Sequence, residues 1–504
     1  NSNISGSLAL LEFSGGTTNI VGSYEALRTI VYSGAVMNVN QAWGYDSTNG
    51  ITSAVKLSGN LEVREGGILQ AAYKGNGSNN GLLVNGNLTN NGKINNVLGD
   101  CNSRNDRCNG YYYNQLHIAV KGNVINNLSG SINSVTVDTE SNFSNNGIFA
   151  SNTLNVFSDT GSISNGGSGS IISSYIASLG NRFSSSGNWT GGEIRLNSGG
   201  IKTFSIASGK RIDSTVVLNG NIELKGNPKF PNFNFNGKNL TLNKLTLETN
   251  NLWGTGNISG TGGIIRTNGG GTLNSNISGS LALLEFSGGT TNIVGSYEVA
   301  RTIVYSGAVV NVNKVREYSS TGGITSAVKL FGNLEVREGG ILQSLLVAGA
   351  GLMVNGNLTN EGIINTLSYG EDRSKRTVDC AMYIFSACIS WHYYYSPYYS
   401  SLYIYTNGNL INKGTIKKDG GLNKFYVKGN VFNYGNINSA DIDTEGYLIS
   451  NYGIINAGTK FNLYGWDKSL AGNKDLLGSI TCKSEFEIYA SVPNSDSLNL
   501  INCK

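Results

Sequence analysis

The stretch GNLTNNGKI at 86–94 decides how this chain is read. It returns as GNLTNEGII at 356–364, GNLINKGTI at 408–416 and GNVFNYGNI at 429–437, with looser forms GNVINNLSGSI at 122–132 and SNFSNNGIF at 141–149. Each follows a short run of alternating apolar and polar residues, such as LLV at 82–84, IAV at 118–120, VTV at 135–137 or FYV at 425–427. Such alternation turns one face of a strand inward. The glycine and asparagine between the runs tolerate the backbone angles of a sharp corner. Where nothing is inserted, successive runs begin about 17 to 20 residues apart, as at Ile118, Val135 and Leu154.

Short strands, a corner every few residues, a repeat near 20 and no helical spacing of apolar residues predict an all-β chain. The fold class expected is a right-handed parallel β-helix, or β-solenoid, with loop insertions; the strict hexapeptide of left-handed forms is missing. Coils stack about 4.8 Å apart, so twenty of them would give a rod on the order of 100 Å long. Stacking also places like residues above like. Asn90, Asn126 and Asn145 are candidates for an internal amide ladder, the alternative being that they serve only as corner residues.

Working outward, a longer duplication encloses this rhythm. Residues 1–40 recur at 274–313 with three changes, Ala26 to Val299, Leu27 to Ala300 and Met37 to Val310. Residues 51–70 recur at 324–343 with one, Ser58 to Phe331. Two tandem homologous copies are expected, 1–273 and 274–504. Copy A carries a small cysteine loop at about 99–113, and copy B an aromatic and cysteine-bearing insertion at about 368–405 and a C-terminal segment, 468–504, with Cys482 and Cys503. Both insertions follow the equivalent coil, after Ile94 and Ile364, and should leave from the same corner. Residues 161–273 have no counterpart in copy B. There is no initiator Met or leader, and Asn1 matches Asn274, which follows Gly269, Gly270, Gly271, Thr272 and Leu273 without a break. The numbered chain is therefore expected to be a processed or truncated product.

Composition narrows the function. With 13% charged residues, a net charge of +4 and no long run of either sign, a basic stripe for nucleic acid is not expected. No run approaches the roughly 18 apolar residues of a membrane helix. The 69 glycines are accompanied by only four prolines, unlike collagen or a Pro/Gly linker. The six cysteines fall into close pairs, Cys101 with Cys108, Cys380 with Cys388 and Cys482 with Cys503. Neighbour pairing as disulfides would imply an oxidising compartment. Free thiols or a metal site are the alternatives; zinc lacks CxxC spacing, and the only histidines are His117 and His392. No metal or cofactor set is read.

The GNLTNNGKI run, with SGTGGIIRTNGGGTL at 259–273 and GNIELKGN at 220–227, resembles the passenger β-helices of bacterial surface adhesins of the filamentous-haemagglutinin and autotransporter kind. The resemblance implies a rod that displays loops and binds host or neighbouring cells. The loop singled out for binding is Trp391, His392, Tyr393, Tyr394 and Tyr395, continuing through Tyr398 and Tyr399 to Tyr403 and Tyr405. Such rings offer contact area at low entropy cost and stack on sugars or fill a partner's pocket. The alternative is that they pack back and seal the insertion. Tyr111, Tyr112 and Tyr113 are a smaller echo.

The expected function is thus that of a secreted or cell-surface repetitive structural or adhesive protein, meeting a glycan or protein on another surface. The alternative is a subunit of an extracellular filament or sheath, with copies stacked end to end. A lesser alternative is a polysaccharide-active β-helix enzyme, for which Glu62, Arg64 and Glu65, repeated as Glu335, Arg337 and Glu338, are the local candidates. Their duplication favours a solvated face with ion pairs across coils.

Overall fold

The computed structural model describes residues 3–47, 50–71, 79–96, 115–197, 199–318, 324–344, 349–384, 387–399, 401–419, 423–444, 448–463, 479–482, 485–488 and 501–503; from 367 to 399 and beyond 455 it describes the backbone alone. Among the described residues there is no helix, and strands pair almost throughout in parallel with the strand one coil ahead. The architecture is the all-β parallel β-solenoid that the repeat predicts.

One coil shows why the sequence winds this way. Thr136–Thr139 forms the first side, Phe143–Asn145 the second, and the early part of Ile148–Val156 the third. Val137 pairs with Ile118 of the coil before and with Leu154 of the coil after. On the second side Leu88, Val124, Phe143, Ile163, Phe183 and Phe204 lie in register, all buried. Each such side chain contributes about 1.5–3 kcal/mol by leaving water. Phe183 and Phe204 stack at 4.7 Å between centroids. A core so narrow has no depth, so its stability grows only by adding coils.

The Gly-Asn pair is explained by the approach of neighbouring coils. A Cβ on Gly429 would lie 2.6 Å from both the carbonyl carbon and the carbonyl oxygen of Gly408. The asparagine that follows accepts the next coil's backbone amide. Asn123 N donates to Asn87 Oδ1 at 2.8 Å, and Asn430 N to Asn409 Oδ1 at 2.8 Å. Inside, the amide ladder is formed. Asn90 Nδ2 donates to Asn126 Oδ1 at 2.7 Å, Asn126 to Asn145 at 2.7 Å, and Asn145 to Asn165 at 2.9 Å. Later in the chain Asn360 donates to Asn412 at 2.7 Å and Asn412 to Asn433 at 2.8 Å. These residues are all buried, so the corner explanation alone is insufficient. The buried Lys202 uses a related device, its Nζ donating to the carbonyls of Leu179 at 2.6 Å and Gly180 at 2.8 Å.

Two compact units divide the chain at Asn1–Thr241 and Leu242–Lys504. The repeat boundary at 273/274 falls inside the second unit, within the strand Gly271–Phe286. A strand that runs through the junction explains why duplication left no structural seam there.

Candidate functional site

The long insertion is a hairpin. Ile363–Ile384 begins as an ordinary coil strand, in register with Thr415–Asp419 as far as Leu367 opposite Asp419. From Ser368 it turns to antiparallel pairing with Ala387–Tyr399. Trp391 stands opposite Cys380, His392 opposite Asp379, Tyr393 opposite Val378, Tyr394 opposite Thr377, Tyr395 opposite Arg376, and Tyr399 opposite Ser368; Tyr398 lies in the same strand. Cys388 is opposite Tyr383, not Cys380. Cys482 and Cys503, by contrast, are direct register partners in parallel strands. Cys101, Cys108 and the loop at 99–113, with Tyr111, Tyr112 and Tyr113, lie outside the described residues.

The insertion is shorter than the sequence suggested. Leu402–Thr406 belongs to the coil, paired in parallel with Ala350–Val354 and Asn423–Val427. Leu402 and Ile404 are buried while Tyr403 and Tyr405 are half-buried on the opposite face. The alternation of LYIYT is a strand signal, obscured by counting aromatic residues.

Glu62 and Glu335 sit in ion-paired clusters that cross the coils. Glu62 is held by Arg28 and, at 2.9 Å, by Arg64. Arg301 grips Glu335 through two bonds of 2.6 Å, with Arg337 at 3.5 Å. The Arg301 hydrogen bonds hold the Glu335 carboxyl below the usual carboxylate range. Glu65 and Glu338 stand exposed in the adjoining turns. This is the solvated, cross-coil ion-paired face expected of duplicated scaffold residues.

A groove in the first unit went unread in the sequence. Residues 41–47 and 50–53 leave the coil as a strap whose hairpin pairs Gly44–Asp46 with Gly50–Ser53. Trp43 N donates to Asn79 O at 2.8 Å, and Gly81 N to Gln41 O at 2.8 Å. A Cβ on Gly81 would meet the Trp43 ring at 2.5 Å, so glycine is what admits the indole. Trp43 then stacks on His117, with centroids 3.9 Å apart and planes 19° apart. His117 Nε2 lies 2.6 Å from Asp138 Oδ2, and Asn155 Nδ2 donates to Asp138 Oδ1 at 2.7 Å. A nitrogen that close to a carboxylate carries the proton, which fixes the ring's orientation. The groove measures about 1050 Å³ and is lined further by Tyr45, Leu83, Lys121, Glu140 and Phe157.

The second unit builds a different cluster at the equivalent place. Arg316 lies over the Tyr403 ring at 3.1 Å and donates from Nη1 to the Tyr405 hydroxyl at 3.0 Å. Tyr405 and Tyr426 stack at 4.5 Å, and Lys424 pairs with Asp443 at 3.1 Å. The signal that could have revealed both places is the break in the duplication, QAWGYDSTNG at 41–50 against KVREYSSTGG at 314–323.

Among the described residues no group of three or more His, Cys, Asp or Glu could hold a metal ion, and no helix is long and apolar enough to cross a membrane. No protein-family model matches the chain, and neither a curated protein nor a solved structure matches it.

Proposed function

We propose that this chain is a secreted or cell-surface structural and adhesive protein, in which a β-solenoid carries binding elements that meet a glycan or protein on another surface. The observation that carries this reading is the hairpin after Leu367, which departs from the stack and returns to it in register. Asn360 and Asn412, 52 residues apart, still make a 2.7 Å ladder bond across it. Lengthening a closed loop is entropically inexpensive, so the coil tolerates a large, aromatic-rich appendage as a display element requires. The duplication of coils and the low charge agree with a scaffold that works by length and multivalency. Export is supported by Cys482 and Cys503. Neighbouring strands hold Cα atoms about 4.8 Å apart, within the roughly 4.4–6.8 Å that a disulfide accepts.

The test is binding of the purified chain to a glycan array and to cells, with Trp391, Tyr393, Tyr394 and Tyr395 replaced by Ala together. The expected outcome is loss of at least about nine-tenths of binding, as for removal of an aromatic hot spot worth 1.4 kcal/mol or more, with thermal stability retained. Undiminished binding by the variant would remove the hairpin from the function.

A further inference from the structure

We propose that the groove beneath the first strap is a binding site for a neutral oligosaccharide, with sugar rings laid against Tyr45 and Phe157 and their hydroxyls donating to Asp138. The site is separate from the hairpin residues and does not rest on their role.

Three observations carry it. Tyr45 and Phe157 are 66% and 53% exposed in the same groove. Closing the coil does not require two large rings to face water, whereas the apolar faces of a pyranose stack on such rings. Asp138 is held in place by donors from two other coils, His117 and Asn155, and its side chain is only 16% exposed. Each carboxylate oxygen has two acceptor positions, so one donor apiece leaves capacity for sugar hydroxyls in a partly desolvated setting where such bonds gain strength. The volume, about 1050 Å³, lies just above the range of about 300–1000 Å³ typical of small-ligand pockets, as an extended oligosaccharide requires.

Charge and comparison within the chain narrow the class. Among the described lining residues two carboxylates, Asp138 and Glu140, stand against the one lysine, Lys121, a balance that disfavours phosphate, sulfate and uronate ligands. In the second unit the equivalent strap lays Arg316 over Tyr403. The strap is therefore common scaffold, and Trp43 with His117 is a specialisation of the first unit.

The full chain would be titrated by calorimetry and tryptophan fluorescence with maltohexaose, cellohexaose, chitohexaose, mannohexaose and xylohexaose. At least one should bind, with Tyr45→Ala, Phe157→Ala and Asp138→Asn each weakening it about tenfold or more, and replacement of the exposed Tyr434, which does not line the groove, by Ala leaving it unchanged. Tyr45 is exposed enough for its replacement to leave the fold intact, so that variant decides the matter if Asp138→Asn unfolds. The proposal is overturned if none of the five binds at roughly 10 mM. It also fails if Tyr45→Ala stays within about twofold of wild type, or if a heparin-derived hexasaccharide binds in preference.

Discussion

Buried amides are the residues on which the solenoid depends most closely. Asn126 accepts from Asn90 and donates to Asn145 and to the Ile148 carbonyl at 3.0 Å. Replacing it with leucine, of similar volume, leaves little cavity but removes a donor from Asn145 and an acceptor from Asn90. Asn126→Leu should cost about 1–3 kcal/mol for each group left unsatisfied, read as a lower urea midpoint. A second residue sets an alkaline limit. Tyr297 is buried, its hydroxyl donates to Leu273 O at 2.6 Å, and burial pushes its pKa up to about 12 from 10.0. A raised folded pKa means stability that is complete below pH 10 and lost between pH 10 and about 12. That loss amounts to about 3 kcal/mol. Tyr297→Phe should flatten this part of the urea-midpoint profile, and an unchanged slope would contradict the assignment. The ladder was legible because Asn90, Asn126 and Asn145 occupy one position of an alignable motif. The His117–Asp138 pair was not, because it joins different coils at an offset of two positions, which only register reveals.

At the scale of elements, the corners impose the strictest demand. The Gly429 Cβ clash with the Gly408 backbone involves atoms that cannot swing aside. Gly429→Ala should therefore destabilise the fold by about 1–3 kcal/mol through overpacking. Gly167→Ala, where a Cβ meets nothing within 4 Å, should be near neutral. Comparison of the two thermal melts checks this. Strands were legible wherever alternation was clean, as in Phe143–Asn145. The straps were missed because Gly44–Asp46 and Gly50–Ser53 form a short antiparallel hairpin with no coil motif, and the boundary near 405 was misplaced because tyrosines outweighed the alternation of Leu402 and Ile404.

For the whole molecule, the repeat rather than the domain is the natural unit. Leu402 pairs with Asn423, which pairs with Ala440; Leu358 pairs with Leu410, which pairs with Val431. Excising 408–428 would bring Leu402 to Ala440 and Leu358 to Val431 in the same register. That shortened chain should still unfold cooperatively in urea, whereas excision of 408–417 alone should abolish the transition, because half a coil reverses inside and outside. The compact units were not legible, since duplication records descent and the division at Thr241 and Leu242 reflects packing.

The corner after Leu367 acts as a socket. Because the coil resumes at Leu402 as though nothing had intervened, the length of whatever is plugged in there enters stability only logarithmically, at about 0.6 kcal/mol per doubling. Selection can exchange the fixture while the wiring stays untouched, and an engineer could graft a foreign epitope at the same outlet.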